Sequence, residues 1–249
     1  MTRRPHRPAA AAAAALVLLA AGPACRKEAP PAPPDTETVG VKDAGRSVVP
    51  VNQALTPAGI QVPLPGMRPQ AVALSPDGRL LAVSGKTHEL VVLDPAAGRV
   101  LQRVPLPAEA RDASVPEAAS ANILEPDEKG QLSYTGLVFS PDGRRVYLSN
   151  VNGSVKVFAV AADGTVAPSH SIPLPPAGAP RREEEIPAGL ALSDDGERLF
   201  VCGNLSNRLL EIDTATGELR RTFDVGVAPF DVVLAHGKAY VSNWGGRRP

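Results

Sequence analysis

One short segment recurs four times along this chain, and that recurrence constrains the fold more than any other feature. The first copy reads Pro69-Gln-Ala-Val-Ala-Leu-Ser-Pro-Asp-Gly78 and continues Arg-Leu-Leu-Ala-Val-Ser84. The second reads Gly136-Leu-Val-Phe-Ser-Pro-Asp-Gly143, then Arg-Arg-Val-Tyr-Leu-Ser149. The third reads Pro187-Ala-Gly-Leu-Ala-Leu-Ser-Asp-Asp-Gly196, then Glu-Arg-Leu-Phe-Val-Cys202. The fourth reads Pro229-Phe-Asp-Val-Val-Leu-Ala-His-Gly237, then Lys-Ala-Tyr-Val-Ser242. Each copy is an apolar strand, a turn ending in glycine and a second apolar strand, which predicts a β-hairpin. Gly78, Gly143, Gly196 and Gly237 supply the positive φ such a turn requires.

A second strand pair follows three of the hairpins. Leu90–Asp94 leads through Pro95-Ala-Ala-Gly98 to Arg99–Val104. Val157–Val160 leads through Asp163-Gly164 to a strand ending near Ile172. Leu209–Asp213 leads through Thr214-Ala-Thr-Gly217 to Glu218–Phe223. Four short antiparallel strands per repeat make one blade of a β-propeller. The expected fold is therefore all-β, with repeats near 69–107, 134–175, 187–226 and 229–249. The turn glycines are spaced by 65, 53 and 41 residues. The last spacing is close to the ~40–45 residues of a bare four-stranded blade. The longer ones place insertions around Pro107–Leu132 and at Pro175–Glu185. Only about 3.5–4 blades of four strands are present, so an incomplete ring is expected. The apolar segment Ser47–Pro63 reads as two strands, and one way to close the ring is to pair them with residues 229–244. A piece of a longer protein and a pair of arcs joined into one ring are the other readings.

The pattern of strand, Ser-Pro-Asp-Gly and a strand such as Arg-Arg-Val-Tyr-Leu-Ser-Asn150 resembles the YVTN-repeat, YncE-like β-propeller family. Tyr240-Val-Ser-Asn243 comes closest to that family's name motif. The resemblance covers about residues 46–249. It implies a ring of about seven blades, and the run Asn243-Trp-Gly-Gly-Arg-Arg-Pro249 resembles a subgroup carrying a C-terminal phosphoesterase domain. On that resemblance the chain is expected to be the N-terminal part of a larger propeller protein.

The N-terminus reads as an export signal. Arg3, Arg4 and Arg7 precede a 13-residue apolar run, Ala9–Ala21, that ends at Gly22-Pro23. Such a run is shorter than the ~20 residues of a permanent membrane span. Cleavage after Ala24 leaves Cys25 at the new N-terminus, which resembles a bacterial lipoprotein signal, with Cys25 the acylated residue. Gly22 stands where that pattern usually has Leu, so ordinary cleavage with a free Cys25 is the other reading. Residues 1–25 are read as the signal peptide, 26–46 as a Pro-rich linker and 47–249 as the propeller. The expected location is the bacterial periplasm or a membrane surface to which Cys25 anchors the protein.

The whole chain carries 26 basic and 26 acidic side chains. Loss of residues 1–25 removes three arginines and no acid, leaving a net charge of −3. That balance and only nine aromatic residues exclude a basic, base-stacking nucleic-acid binder. His6, His88, His170 and His236 are scattered without ligand spacing, so no metal site or cofactor is expected. Asp77, Asp142 and Asp195 recur at one turn position, which assigns them to turn hydrogen bonds rather than acid–base chemistry. Cys202 aligns with Ser84, Ser149 and Ser242 and reads as a small buried residue, not a nucleophile. The run Arg181-Arg-Glu-Glu-Glu185 reads as a solvated loop. No catalytic residue is assigned.

What remains is a candidate ligand-binding set at one loop face: Asn150, Asn152, Asn204, Asn207, Asn243 and Trp244. The competing reading makes these asparagines simple turn formers. A non-enzymatic binding or scaffold module of the cell envelope, taking a protein or small-molecule partner at this face, is the favoured function. A lactonase-type hydrolase is the alternative, since lactonase propellers resemble this repeat.

Overall fold

A computed structural model of the chain describes residues 37–246 except 43–44, 52, 110–131 and 181, and only the backbone of 132–134. The signal, Cys25, most of the linker and most of the first insertion lie outside the described residues. The chain divides into two compact units, Met1–Pro57 and Ala58–Pro249.

The described part of the first unit is a three-stranded antiparallel sheet of β1 (Gly40–Val41), β2 (Ser47–Val49) and β3 (Gln53–Leu55), in that order. Its first turn is held by a bidentate pair, with the Arg46 guanidinium donating to both Glu37 carboxylate oxygens at 2.6 and 2.7 Å. Residues 37–46, expected as part of the Pro-rich linker, contribute β1 to this sheet, and Gly45 takes positive φ ahead of β2.

The second unit is all-β, and it is an incomplete propeller. Blade 1 comprises β4 (Pro69–Leu74), β5 (Leu81–Gly85), β6 (Glu89–Asp94) and β7 (Arg99–Pro105). Blade 2 comprises β8 (Leu132–Phe139), β9 (Arg145–Asn150), β10 (Ser154–Val160) and β11 (Val166–Pro173). Blade 3 comprises β12 (Pro187–Leu192), β13 (Arg198–Gly203), β14 (Arg208–Asp213) and β15 (Leu219–Asp224). A fourth sheet holds two strands, β16 (Pro229–Ala235) and β17 (Lys238–Asn243). The sheet is antiparallel throughout, with consecutive strands paired.

The turns follow the sequence chemistry. In blade 1 the Ser75 hydroxyl donates to Asp77 Oδ1 at 2.6 Å and accepts from Leu80 N at 2.9 Å. Asp77 Oδ1 also accepts from Arg79 N at 3.0 Å. Ser140 and Asp142 repeat these contacts in blade 2, as do Ser193 and Asp195 in blade 3. The connection is six residues long, Ser75 to Leu80, rather than a two-residue hairpin turn. The fourth copy lacks the Ser and Asp, and it does turn in two residues, His236 and Gly237, at φ 51° and 70°.

Blades stack through alternating side chains. Ala82, Leu90 and Val92 of blade 1 bury against Leu137, Phe139, Val146 and Leu148 of blade 2. Tyr147, Val155 and Val157 on the other side of blade 2 bury against Leu190, Leu199, Val201 and Leu210 of blade 3. Phe200, Cys202 and Leu209 then meet Val232, Leu234 and Val241 of the fourth sheet. The first strands converge: Thr135 Oγ1 of β8 donates to Phe230 O of β16 at 3.3 Å, across the width of blade 3. Gly136 and Gly189 permit that approach. A Cβ at 136 would lie 2.2 Å from Ala188 O, and one at 189 would lie 2.5 Å from Asp231 Cα.

Residues 58–63, expected as part of a strand pair, form no strand. Val62, Leu64 and Met67 instead pack on Val83, Val91 and Leu93, covering the outer side of blade 1. Within the first unit, β2 pairs with both β1 and β3.

Candidate functional site

Because consecutive strands are antiparallel, the turn between a blade's second and third strands emerges at the same end as the link to the next blade. Every candidate ligand-binding residue from the sequence falls on that loop face. The Ser–Asp turns, with Asp77, Asp142 and Asp195, lie at the opposite end.

In blade 2, Asn150 is buried at the end of β9. Its amide donates to Glu109 Oε1 at 2.7 Å and to Ser154 Oγ at 3.0 Å. Glu109 Oε1 also accepts from Lys156 Nζ at 2.9 Å, and Lys156 donates to Pro107 O at 2.8 Å. Lys156 is 0 % exposed while Glu109 is 45 % exposed. Ser171 Oγ completes the cluster, donating to Ala108 O at 2.5 Å. These groups fasten the link leaving blade 1 to β9, β10 and β11. Asn152 sits exposed in the adjoining turn.

In blade 3, Asn204 Nδ2 donates to Pro229 O at 3.1 Å, and Asn207 Oδ1 accepts from Ala228 N at 2.8 Å. Asn207 has φ 59°, a left-handed conformation that asparagine tolerates better than most residues. Both tie this turn to the link entering β16. Asn243 Nδ2 donates to Val241 O at 3.3 Å, and its Oδ1 is buried with no partner among the described residues. Trp244 is 70 % exposed and stacks on Phe230 with centroids 4.4 Å apart.

The side-chain amides of Asn150, Asn204, Asn207 and Asn243 are thus engaged with neighbouring loops or strands. The second insertion departs from the solvated loop its composition suggests. Glu185, the last residue of the charged run, is 1 % exposed rather than solvated. Its Oε1 accepts from Ile186 N at 3.0 Å and Leu205 N at 2.9 Å, and its Oε2 accepts from Ser206 N at 3.3 Å. Arg182 reaches the other way, donating to Val151 O and to Glu184 O. The insertion therefore clamps the turns of blades 2 and 3 together.

Groups with catalytic potential are engaged elsewhere. The Ser75 hydroxyl and Arg79 N–H hold Asp77 below the ordinary carboxylate range. Ser140 and Arg144 do the same for Asp142, and Ser193 and Glu197 for Asp195. Burial, reinforced by Asp231, pushes the Cys202 thiol up to about 12, so it is not a thiolate at neutral pH. Among the described residues, no three His, Cys, Asp or Glu side chains are grouped to hold a metal. A cleft of about 620 Å³ lies beside β17, lined by Leu209, Phe223, Leu234 and Val241, and it contains none of the loop-face asparagines.

No family model matches the chain, and no curated protein matches it. Solved structures do. A 6-phosphogluconolactonase candidate from Bacteroides uniformis is 19% identical, with TM-score 0.53, covering 76% of this chain and 53% of that one. A protein of unknown function from Desulfotomaculum acetoxidans is 15% identical, with TM-score 0.50, covering 70% of this chain and 49% of that one. The β-propeller domain of Cps50 (Swd1) from Myceliophteria thermophila is 11% identical, with TM-score 0.50, covering 71% and 49%. Likeness at these identities shows the fold alone. The chain spans about half the length of each of these proteins.

Proposed function

We propose that this chain is a non-enzymatic binding or scaffold module, of the kind the YVTN-repeat resemblance implies, held at the bacterial cell envelope by a lipid on Cys25. The observation that carries the reading is how the loop face spends its polar groups. Asn150, Asn204, Asn207 and Glu185 bind neighbouring backbone or fixed side chains, which makes a rigid platform and leaves the stacked Trp244 exposed on it. Rigid platforms with an exposed aromatic anchor suit recognition, because little entropy is lost on binding. The half-length match also supports the reading that the chain corresponds to the N-terminal part of a larger propeller protein, and the resemblance supplies a phosphoesterase as the further domain.

A lactonase-type hydrolase is the second reading, favoured by the match to the Bacteroides uniformis protein. The two readings separate in one assay. Purified chain incubated with 6-phosphogluconolactone should hydrolyse it no faster than buffer. Turnover that disappears in Asn150→Ala or Asn204→Ala would establish the hydrolase. The anchor has its own test: mass spectrometry of membrane-extracted protein should find an acylated N-terminal Cys25, and an unmodified cysteine refutes it.

A further inference from the structure

Three polar side chains depart from the repeat together, and all three lie in blade 2. The residue that ends a blade's second strand is Gly85 in blade 1 and Gly203 in blade 3, but Asn150 in blade 2. The third strand opens with Glu89 in blade 1 and Arg208 in blade 3, but with Ser154 in blade 2. Two residues on, Val91 and Leu210 give way to Lys156. The fold does not require this trio, since the sister blades fill the lysine position with aliphatic side chains. Burying an ammonium where an aliphatic side chain packs costs stability unless the charge is matched and hydrogen-bonded. Concerted departures of this kind from a local rule mark sites that serve something other than folding.

The trio converges on one oxygen. Asn150 Nδ2, Lys156 Nζ and Ser154 Oγ donate to Glu109 Oε1 at 2.7, 2.9 and 3.2 Å. Asn150, Lys156 and Ser154 are all buried. The Asn150–Ser154 bond and the Lys156 bond to Pro107 O fix them further. The donors therefore form a rigid buried socket, and the carboxylate seated in it is the part that faces water, Glu109 being 45 % exposed. Glu185 at the next junction is the reverse case. There the carboxylate itself is buried, and it is held by backbone N–H groups. One carboxylate is built into the fold; the other sits in a socket that opens to solvent.

We propose that the Asn150–Ser154–Lys156 socket binds the carboxylate of a small-molecule ligand, and that Glu109 is the resident competitor which such a ligand turns out to water. Charge sets the ligand class. One ammonium and two neutral donors meeting at a single oxygen match a monoanion, and the seated group shows that a carboxylate fits. The ligand exchanges one carboxylate for another, so the charge-assisted hydrogen bonds are kept. Selection then falls to what else the ligand touches on the loop face. The inference deepens the proposed reading of that face as a binding surface and rests on it.

Acetate is the probe, read at the Asn150 side-chain amide in heteronuclear NMR spectra of the full chain, with ionic strength held constant by sodium chloride. In Glu109→Ala the amide signals should shift saturably with acetate. In wild type the same shift should need about tenfold more acetate or beyond, because the socket opens only when Glu109 leaves it. The double variant Glu109→Ala, Lys156→Met should show no saturable shift. Where Glu109→Ala loses the wild-type circular-dichroism spectrum, Glu109→Gln takes its place with the same expectation, a neutral amide being the weaker competitor. The proposal is overturned by the absence of a saturable shift in the Glu109 variant, by equal acetate affinity in that variant and wild type, by a shift that survives in the double variant, or by inorganic phosphate binding more tightly than acetate. Such a failure leaves recognition through Trp244 standing, whereas turnover of 6-phosphogluconolactone refutes the proposed function and not the socket.

Discussion

Replacing Glu185 tests how the loop face is held. Its carboxylate accepts three backbone N–H groups, from Ile186, Leu205 and Ser206, at 3.0, 2.9 and 3.3 Å. Glu185→Ala orphans all three. A buried donor left without an acceptor costs about 1–3 kcal/mol. Leu205 and Ser206 are only half-buried, so water can replace part of what is lost. The longest bond contributes least. A total near 3 kcal/mol follows, read as a lower urea midpoint with unchanged slope. Glu185→Gln keeps one carbonyl oxygen for Ile186 and Leu205 but turns an amide NH₂ towards Ser206 N, so a smaller cost of about 1–2 kcal/mol is expected. Because Arg182 ties the same insertion to Val151, proteolysis within 174–186 should speed up in Glu185→Ala. A Glu185→Ala protein within about 0.5 kcal/mol of wild type, where inert surface changes fall, would refute the clamp.

Other consequences are equally direct. Lys156→Met removes the ammonium that donates to Pro107 O and Glu109; the half-exposed Glu109 can turn to water, so a loss of about 1–2 kcal/mol in chemical denaturation is expected. The Arg220 guanidinium and the Thr216 N–H hold Asp213 down to about 2. A depressed folded value means that its contribution is present above the unfolded value near ~4 and is lost as pH falls through about 2. An NMR titration should place its midpoint there and show it rising in Arg220→Ala. Gly189→Ala sets a Cβ 2.5 Å from Asp231 Cα, a backbone neighbour that cannot swing aside; thermal unfolding should show a loss of about 1–3 kcal/mol.

What was legible in the sequence is what is encoded locally. The apolar runs and Ser-Pro-Asp-Gly turns determine each hairpin within about fifteen residues, and the acidic turn residues make the hydrogen bonds expected of them. Contacts between distant segments were not legible. Glu185 sits in a string of charges that composition assigns to solvent; its buried role depends on the turn at 203–206, which sequence spacing does not bring near. Lys156 left a fainter trace. The pairing register gives its place in the repeat to Val91 in blade 1 and Leu210 in blade 3, so a lysine there breaks an apolar column and marks a buried polar contact. Residues 58–67 have strand-like composition, yet with Pro63 and Pro65 removing two backbone donors they pack as irregular chain over blade 1.

The central claim is that the sheets fan about one axis, so that first strands far apart in sequence meet. Thr135 and Phe230 are 95 residues apart and 3.3 Å from hydroxyl to carbonyl. A photo-crosslinking residue placed at position 135, with the product digested from the single-chain band, tests this most directly. The account predicts capture of the peptide containing Phe230–Val232. Capture confined to blade 2's own strands, with β16 never recovered, would contradict it.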